Sequence, residues 1–108
     1  MEIIWEAVDR LGRTVFLTSD AWNHIVAEHR DMVDFQDAVR SAVERADEVR
    51  ADALRPHRDV HYAKSGIGPL LIKVVVRYYP DETSGWRGEV VTAYFTRKKK
   101  REENPKWP

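Results

Sequence analysis

Leu70-Leu71-Ile72-Lys73-Val74-Val75-Val76-Arg77-Tyr78-Tyr79 is the stretch that decides how this chain folds. It is nearly all apolar and rich in β-branched residues, as a central strand of a sheet requires. Side chains alternate across a sheet, so Leu70, Ile72, Val74, Val76 and Tyr78 fall on one side and Leu71, Lys73, Val75, Arg77 and Tyr79 on the other. The first set reads as core. Downstream, after the turn region from Pro80 to Gly88, residues 89–96 form a further strand whose parity separates Val91, Ala93 and Phe95 from Val90, Thr92, Tyr94 and Thr96. Consecutive strands are usually antiparallel neighbours. Lys73 and Arg77 then share a face with Thr92 and Tyr94, a set of cations and hydroxyls suited to donating hydrogen bonds to a phosphate.

Upstream, residues 48–52 and 59–64 alternate in polarity and read as two more strands, punctuated by Pro56 and by Ser65-Gly66-Ile67-Gly68-Pro69. Before them Trp22, Ile25, Val26 and His29 recur at i, i+3, i+4 and i+7, which predicts a helix over about 20–30 with Ser19 or Asp20 as its cap. Phe35, Ala38, Val39, Ala42, Val43 and Ala46 predict a second helix over 35–46, capped by Asp34. Residues 2–8 and 14–18 flank the turn chemistry of Asp9 to Arg13 and form a β-hairpin. The expectation is an α+β fold: an N-terminal hairpin, then two helices packed on a four-stranded antiparallel sheet, with 1–96 as one domain and 97–108 as a charged tail.

The chain is 108 residues long, about one domain, and its 43% hydrophobic content suffices for one core. Its formal charge is zero. The charges are nevertheless separated: residues 1–54 carry twelve acids and six bases, and residues 55–108 carry six acids and twelve bases. A basic half on an acidic support suits a polyanion. There is no cysteine, which excludes disulfides, thiol chemistry and cysteine zinc sites. The opening residues lack a basic leader, and no run approaches the length of a membrane span. A soluble, cytoplasmic protein is the expectation.

Four histidines supply the acid–base candidates. His24 stands off the apolar stripe with Asp20 and Glu28 at i−4 and i+4. His29 lies on the stripe at the helix end, in a packing or capping position. The two are five residues apart and do not form the i, i+4 pair of a metal site. His57 and His61 flank the start of a strand.

Trp22-Asn23-His24-Ile25-Val26-Ala27-Glu28-His29, the approach to Ala46-Asp47-Glu48-Val49, Tyr62, Lys73-Val74-Val75-Val76 and the closing Val90-Val91-Thr92-Ala93-Tyr94 together resemble the phage-type branch of the barnase, EndoU, colicin E5/D and RelE-like (BECR-fold) nuclease superfamily. The resemblance spans residues 18–98. It implies a toxin-like endoribonuclease that cuts RNA without a metal or other cofactor, and it implies a neutralising partner, an antitoxin or immunity protein. It places catalytic roles on His24, Tyr62, Thr92 and Tyr94, with His29 as the second helix histidine. Arg77 and Lys73 join them by chemistry alone, and Lys98, Lys99, Lys100 and Arg101 form a basic run that would guide the RNA backbone. Such cleavage needs a base for the 2′-hydroxyl, donors for the charge on phosphorus and an acid for the leaving 5′-oxygen. Histidine, whose unperturbed pKa is about 6.5, can act as either. The partner of His24 in that exchange stays open among His29, His57, His61 and Tyr94. A non-catalytic RNA-binding module and a protein-interaction module are the alternative readings.

Overall fold

A computed structural model describes residues 2–83 and 85–108. The described residues form β1 (Ile3–Val8), β2 (Thr14–Thr18), α1 (Ser19–Glu28), a 3₁₀ turn at Arg30–Met32, α2 (Gln36–Glu44), β3 (Glu48–Ala51), β4 (Arg58–Lys64), β5 (Leu71–Asp81), β6 (Gly85–Thr96) and β7 (Asn104–Trp107). The strands make one seven-stranded sheet in the order β1-β2-β6-β5-β4-β3-β7. α1 and α2 cover one face of it.

Two features correct the expected four-stranded antiparallel sheet. The hairpin is part of the same sheet, because β2 runs parallel to the first half of β6, Thr14 beside Arg87 and Phe16 beside Glu89. Val15 and Leu17 thereby enter the core shared with the helices, burying apolar surface that a detached hairpin would leave wet. Second, residues 104–107 pair antiparallel with β3. Pro105 is tolerated there because β7 is the sheet's outer strand, with a register irregularity beside its pairing to Arg50.

The core forms where the sequence periodicities meet. Ile72, Val74, Val76 and Tyr78 of β5 pack with Ile25 of α1 and with Val39, Ala42 and Val43 of α2. Lys73, opposite in parity, is on the far face with Val75, Val60 and Tyr62. Thr18 caps α1, its hydroxyl accepting from the Ala21 N–H at 3.1 Å, in place of Ser19 or Asp20. α2 begins after Phe35 with no side-chain cap, so Asp34 does not serve. In β6 the register slips beside Val75 and Val76. This bulge moves Val90 to the helix-side core with Ala93 and leaves Val91 on the opposite side with Val75, reversing the parity expected for those two valines.

Candidate functional site

On the face away from the helices, the register sets Glu48, Tyr62, Lys73 and Tyr94 in one row across four strands. From the end of β6 the chain crosses past β5 and β4 to reach the outer edge of β3, and on that crossing Glu103 is buried against the row. Its Oε1 accepts from the Tyr62 hydroxyl at 2.5 Å and its Oε2 from the Lys73 ammonium at 3.0 Å. Burial pushes the Tyr62 phenol up to about 12, and the bond to Glu103 adds to the shift. Burial pulls the Lys73 ammonium down, but its bond to Glu103 and the neighbouring tyrosines outweigh this and hold it above the ordinary range. Lys99 bonds Glu48, whose second oxygen takes Arg50 at 2.7 Å. Burial raises the Glu48 carboxyl, and these two donors more than reverse it, leaving it below its usual value.

β2 covers only the first half of β6, so the second half has an open edge. His29, the C-cap of α1, reaches this edge and stacks on Tyr94 with ring centres 5.0 Å apart. The structure thus joins one helix histidine, and not the expected one, to the hydroxyl-bearing strand. His24 stands exposed on α1 with its Nε2 3.8 Å from Glu28, on the helix side of the sheet, whereas Arg77 is exposed on the opposite face. Arg77 is also four residues along β5 from Lys73, roughly 13 Å by the rise of a strand. Thr92 sits opposite Val75, one step along the face from Tyr94. His24, Arg77 and Tyr94 therefore do not converge, and Tyr62, Lys73 and Tyr94 do. Lys98, Lys100 and Arg101 are exposed beside them, while Lys73 is sealed beneath Glu103, its side chain 5% exposed.

A second polar cluster lies beyond the helices, on their side of the sheet. Asp9 in the hairpin turn accepts the backbone N–H groups of Leu11 and Arg13, each at 2.9 Å, the Arg13 Nε at 2.9 Å and the Tyr78 hydroxyl at 2.6 Å. The His61 Nε2 is 2.8 Å from the same hydroxyl. Since that hydroxyl gives its proton to Asp9, His61 donates to it and is held as the Nε2–H tautomer. Arg13 continues to Asp59 at 2.7 Å, and Lys106 of β7 reaches Asp59 from the other side at 2.9 Å. Burial lowers the His61 imidazole to about 4. Burial, reinforced by the Asp9 charge, pushes the Tyr78 phenol far up. For Arg13, burial works against the charge, but Tyr78, Asp59 and Asp9 outweigh it and keep the guanidinium firmly protonated.

Arg13, Asp59, Tyr78 and Lys106 of this cluster line a cavity of about 390 Å³, with residues of the β3–β4 loop and Trp86 completing it. Among the described residues no group of three histidine, aspartate or glutamate side chains is placed to hold a metal. No described helix is long and apolar enough to cross a membrane.

Comparison of this α+β chain with protein-family models, with curated proteins and with solved structures gives no match. Sequence parity brought out Lys73, Tyr94 and Thr92. It missed Glu103, which reads as one more charge in a charged run, and Asp9 and Asp59, which look like turn and strand-end residues. Two adjacent acids within a basic stretch, Glu102 and Glu103 among 97–106, are the local sign that a cation elsewhere needed a partner.

Proposed function

We propose that this protein is a metal-independent endoribonuclease, toxin-like in kind, whose chemistry sits at the open edge of β6. The observation that supports this reading is the His29–Tyr94 stack beside Thr92 and the basic segment 97–101. An imidazole and a phenol in contact can exchange the roles of base and acid: one removes the proton of the ribose 2′-hydroxyl, whose oxygen attacks phosphorus, and the other protonates the departing 5′-oxygen. The products are a 2′,3′-cyclic phosphate and a free 5′-hydroxyl. Thr92 is one strand step away to orient the phosphate, and the exposed Lys98, Lys100 and Arg101 hold the flanking backbone. His24, exposed beside Glu28 on the helix side of the sheet, takes no part in the proton transfer. A cell carrying such an activity needs a neutralising protein partner.

Purified protein incubated with structured RNA in excess EDTA is expected to yield cyclic-phosphate ends. His29→Ala should lower the rate roughly 100-fold or more, the scale on which a general acid–base group acts, and His24→Ala should leave it within a few-fold of the parent. Absence of cleavage by the parent between about pH 5 and 9, or full activity of His29→Ala, overturns the reading. A second reading, RNA binding without turnover, is favoured by the commitment of Lys73 to Glu103, which removes the nearest ammonium from phosphate duty. Salt-dependent RNA binding without product selects it.

A further inference from the structure

Each oxygen of the Glu103 carboxylate takes one donor from a different strand: the Tyr62 hydroxyl of β4 at 2.5 Å and the Lys73 ammonium of β5 at 3.0 Å. The ammonium also lies 5.7 Å from the centre of the Tyr94 ring, the ring on which His29 stacks. Tyr62, Lys73 and Glu103 are all buried. A buried ion pair adds little stability over apolar side chains of the same volume, and Val60 and Val75 pack on this very face. Stability alone therefore does not account for a cation and a phenol in the middle of the row. Two donors that converge on two oxygens of one anion are what recognition of a phosphate group requires.

The segment that delivers Glu103 is attached more loosely than the sheet beneath it. Among the described residues, the backbone of 97–103 makes no bond to the backbone of the strands it crosses; the Glu103 N–H donates within the segment, to the Lys100 carbonyl at 3.4 Å. Side chains hold it down: Lys99 on Glu48, Arg50 on the Lys100 carbonyl at 3.2 Å, and Glu103 itself. β7, which follows, has four residues including Pro105, and its register with β3 is irregular. Few backbone bonds and a fastening of ion pairs are the character of a segment that opens locally while the rest stays folded.

From this we infer that Tyr62 and Lys73 form a phosphate site that Glu103 keeps closed: the carboxylate stands where a phosphate would bind, and an incoming phosphate group displaces it and lifts 97–103 off the sheet. A tetrahedral phosphate is larger than a carboxylate, so the exchange cannot leave the segment in place. Lys98, Lys100 and Arg101, exposed on the same segment, draw a polyanion to it. The same group is offered by an RNA backbone and by free phosphate. The purpose of the site rests on the ribonuclease reading, since opening returns to the β6 edge the ammonium that the closed form withholds; its existence is tested without cleavage.

Urea denaturation of the full-length protein in inorganic phosphate, against chloride of equal ionic strength, reads the site. At about 50 mM phosphate, roughly fifty times an affinity near 1 mM, the folded state of Glu103→Ala should be favoured about fiftyfold. The parent, its site already filled, should show only the general effect of phosphate on protein surface. Lys73→Met with Glu103→Leu, which keeps the packing and removes the site, should respond as the parent does. Tyr62→Phe in the Glu103→Ala background should weaken the phosphate affinity about tenfold, the scale of a charged hydrogen bond. Where Glu103→Ala does not fold in chloride, Glu103→Gln takes its place in each measurement. A short single-stranded oligoribonucleotide that acts at lower concentration than inorganic phosphate assigns the site to RNA, and equal potency per phosphate assigns it to free phosphate. In the cleavage assay Glu103→Gln, compared at equal folded protein, should raise kcat/KM about tenfold, and adding Lys73→Met should remove the gain. An equal phosphate response in the parent and the Glu103 variants, or an active enzyme that gains nothing from Glu103→Gln, overturns the inference. If the parent and every variant leave RNA intact, the nuclease reading falls and the phosphate response alone decides this one.

Discussion

Lys73 was readable as a cation on a strand, but its role was set by one residue thirty positions later. Glu103 covers it, and the pair is 5% and 1% exposed. Removing one partner of a buried pair leaves an uncompensated charge, so Glu103→Gln is expected to cost about 3–5 kcal/mol, read by urea denaturation, while the double change Lys73→Met with Glu103→Leu should restore most of it. A loss under about 1 kcal/mol would mean that the ammonium reaches water. His61 gives a pH dependence of known sign. Its folded pKa of about 4 lies below the unfolded value of about 6.5. Between those values the unfolded chain takes up a proton that the folded one refuses, so stability falls as pH descends through that window and the effect levels off below it. His61→Gln keeps an N–H for the Tyr78 hydroxyl but cannot titrate. Urea midpoints measured between about pH 7 and 4 should show a shallower slope for it than for the parent.

The helices were legible at the scale of the element because their stripes repeat with helical period: 20–30 was expected and Ser19–Glu28 is found, 35–46 was expected and Gln36–Glu44 is found. Their caps were not, since the Thr18 hydroxyl caps the first helix and no side chain caps the second, which starts after Phe35. The strands were placed well where polarity alternates and poorly where a bulge intervenes, as at Val90 and Val91. One glycine reports on how closely β5 and β6 approach. Gly88 lies opposite Tyr78, and a Cβ there would fall 2.7 Å from the Tyr78 Cε1 and 2.8 Å from the Val76 Cγ1. Gly88→Ala must push the Tyr78 ring off its bond to Asp9 or spread the strands. A loss of about 1–3 kcal/mol is expected, seen in a thermal melt as a fall of at least about 4 °C. An unchanged melting temperature would show that the two strands yield without cost.

The charge separation between the two halves of the sequence takes on a shape at the scale of the whole molecule. The acidic half supplies both helices, and the basic half supplies β4 to β7 and the crossing segment. If the exposed Lys98, Lys100 and Arg101 contact an RNA backbone, replacing all three with glutamine should reduce the slope of log affinity against log salt by about 2, three contacts at about 0.7 each for a single strand. Their exposure predicts unchanged stability, so a filter-binding salt series reads the contact without a folding effect. Deleting 97–108 would not test this, because it removes Glu103 and β7 as well. The sequence by itself determined the α+β composition, the two helices, the four strands after them and the shared face of Lys73, Thr92 and Tyr94, because each follows from the local period of apolar side chains. Only the tertiary structure decided that the hairpin joins the sheet, that the last residues add a strand, that His29 and not His24 meets Tyr94, and that Glu103 claims Lys73. Each of those joins residues far apart in the chain, and their pairing is selected by the apolar area and buried charge that the assembled sheet encloses.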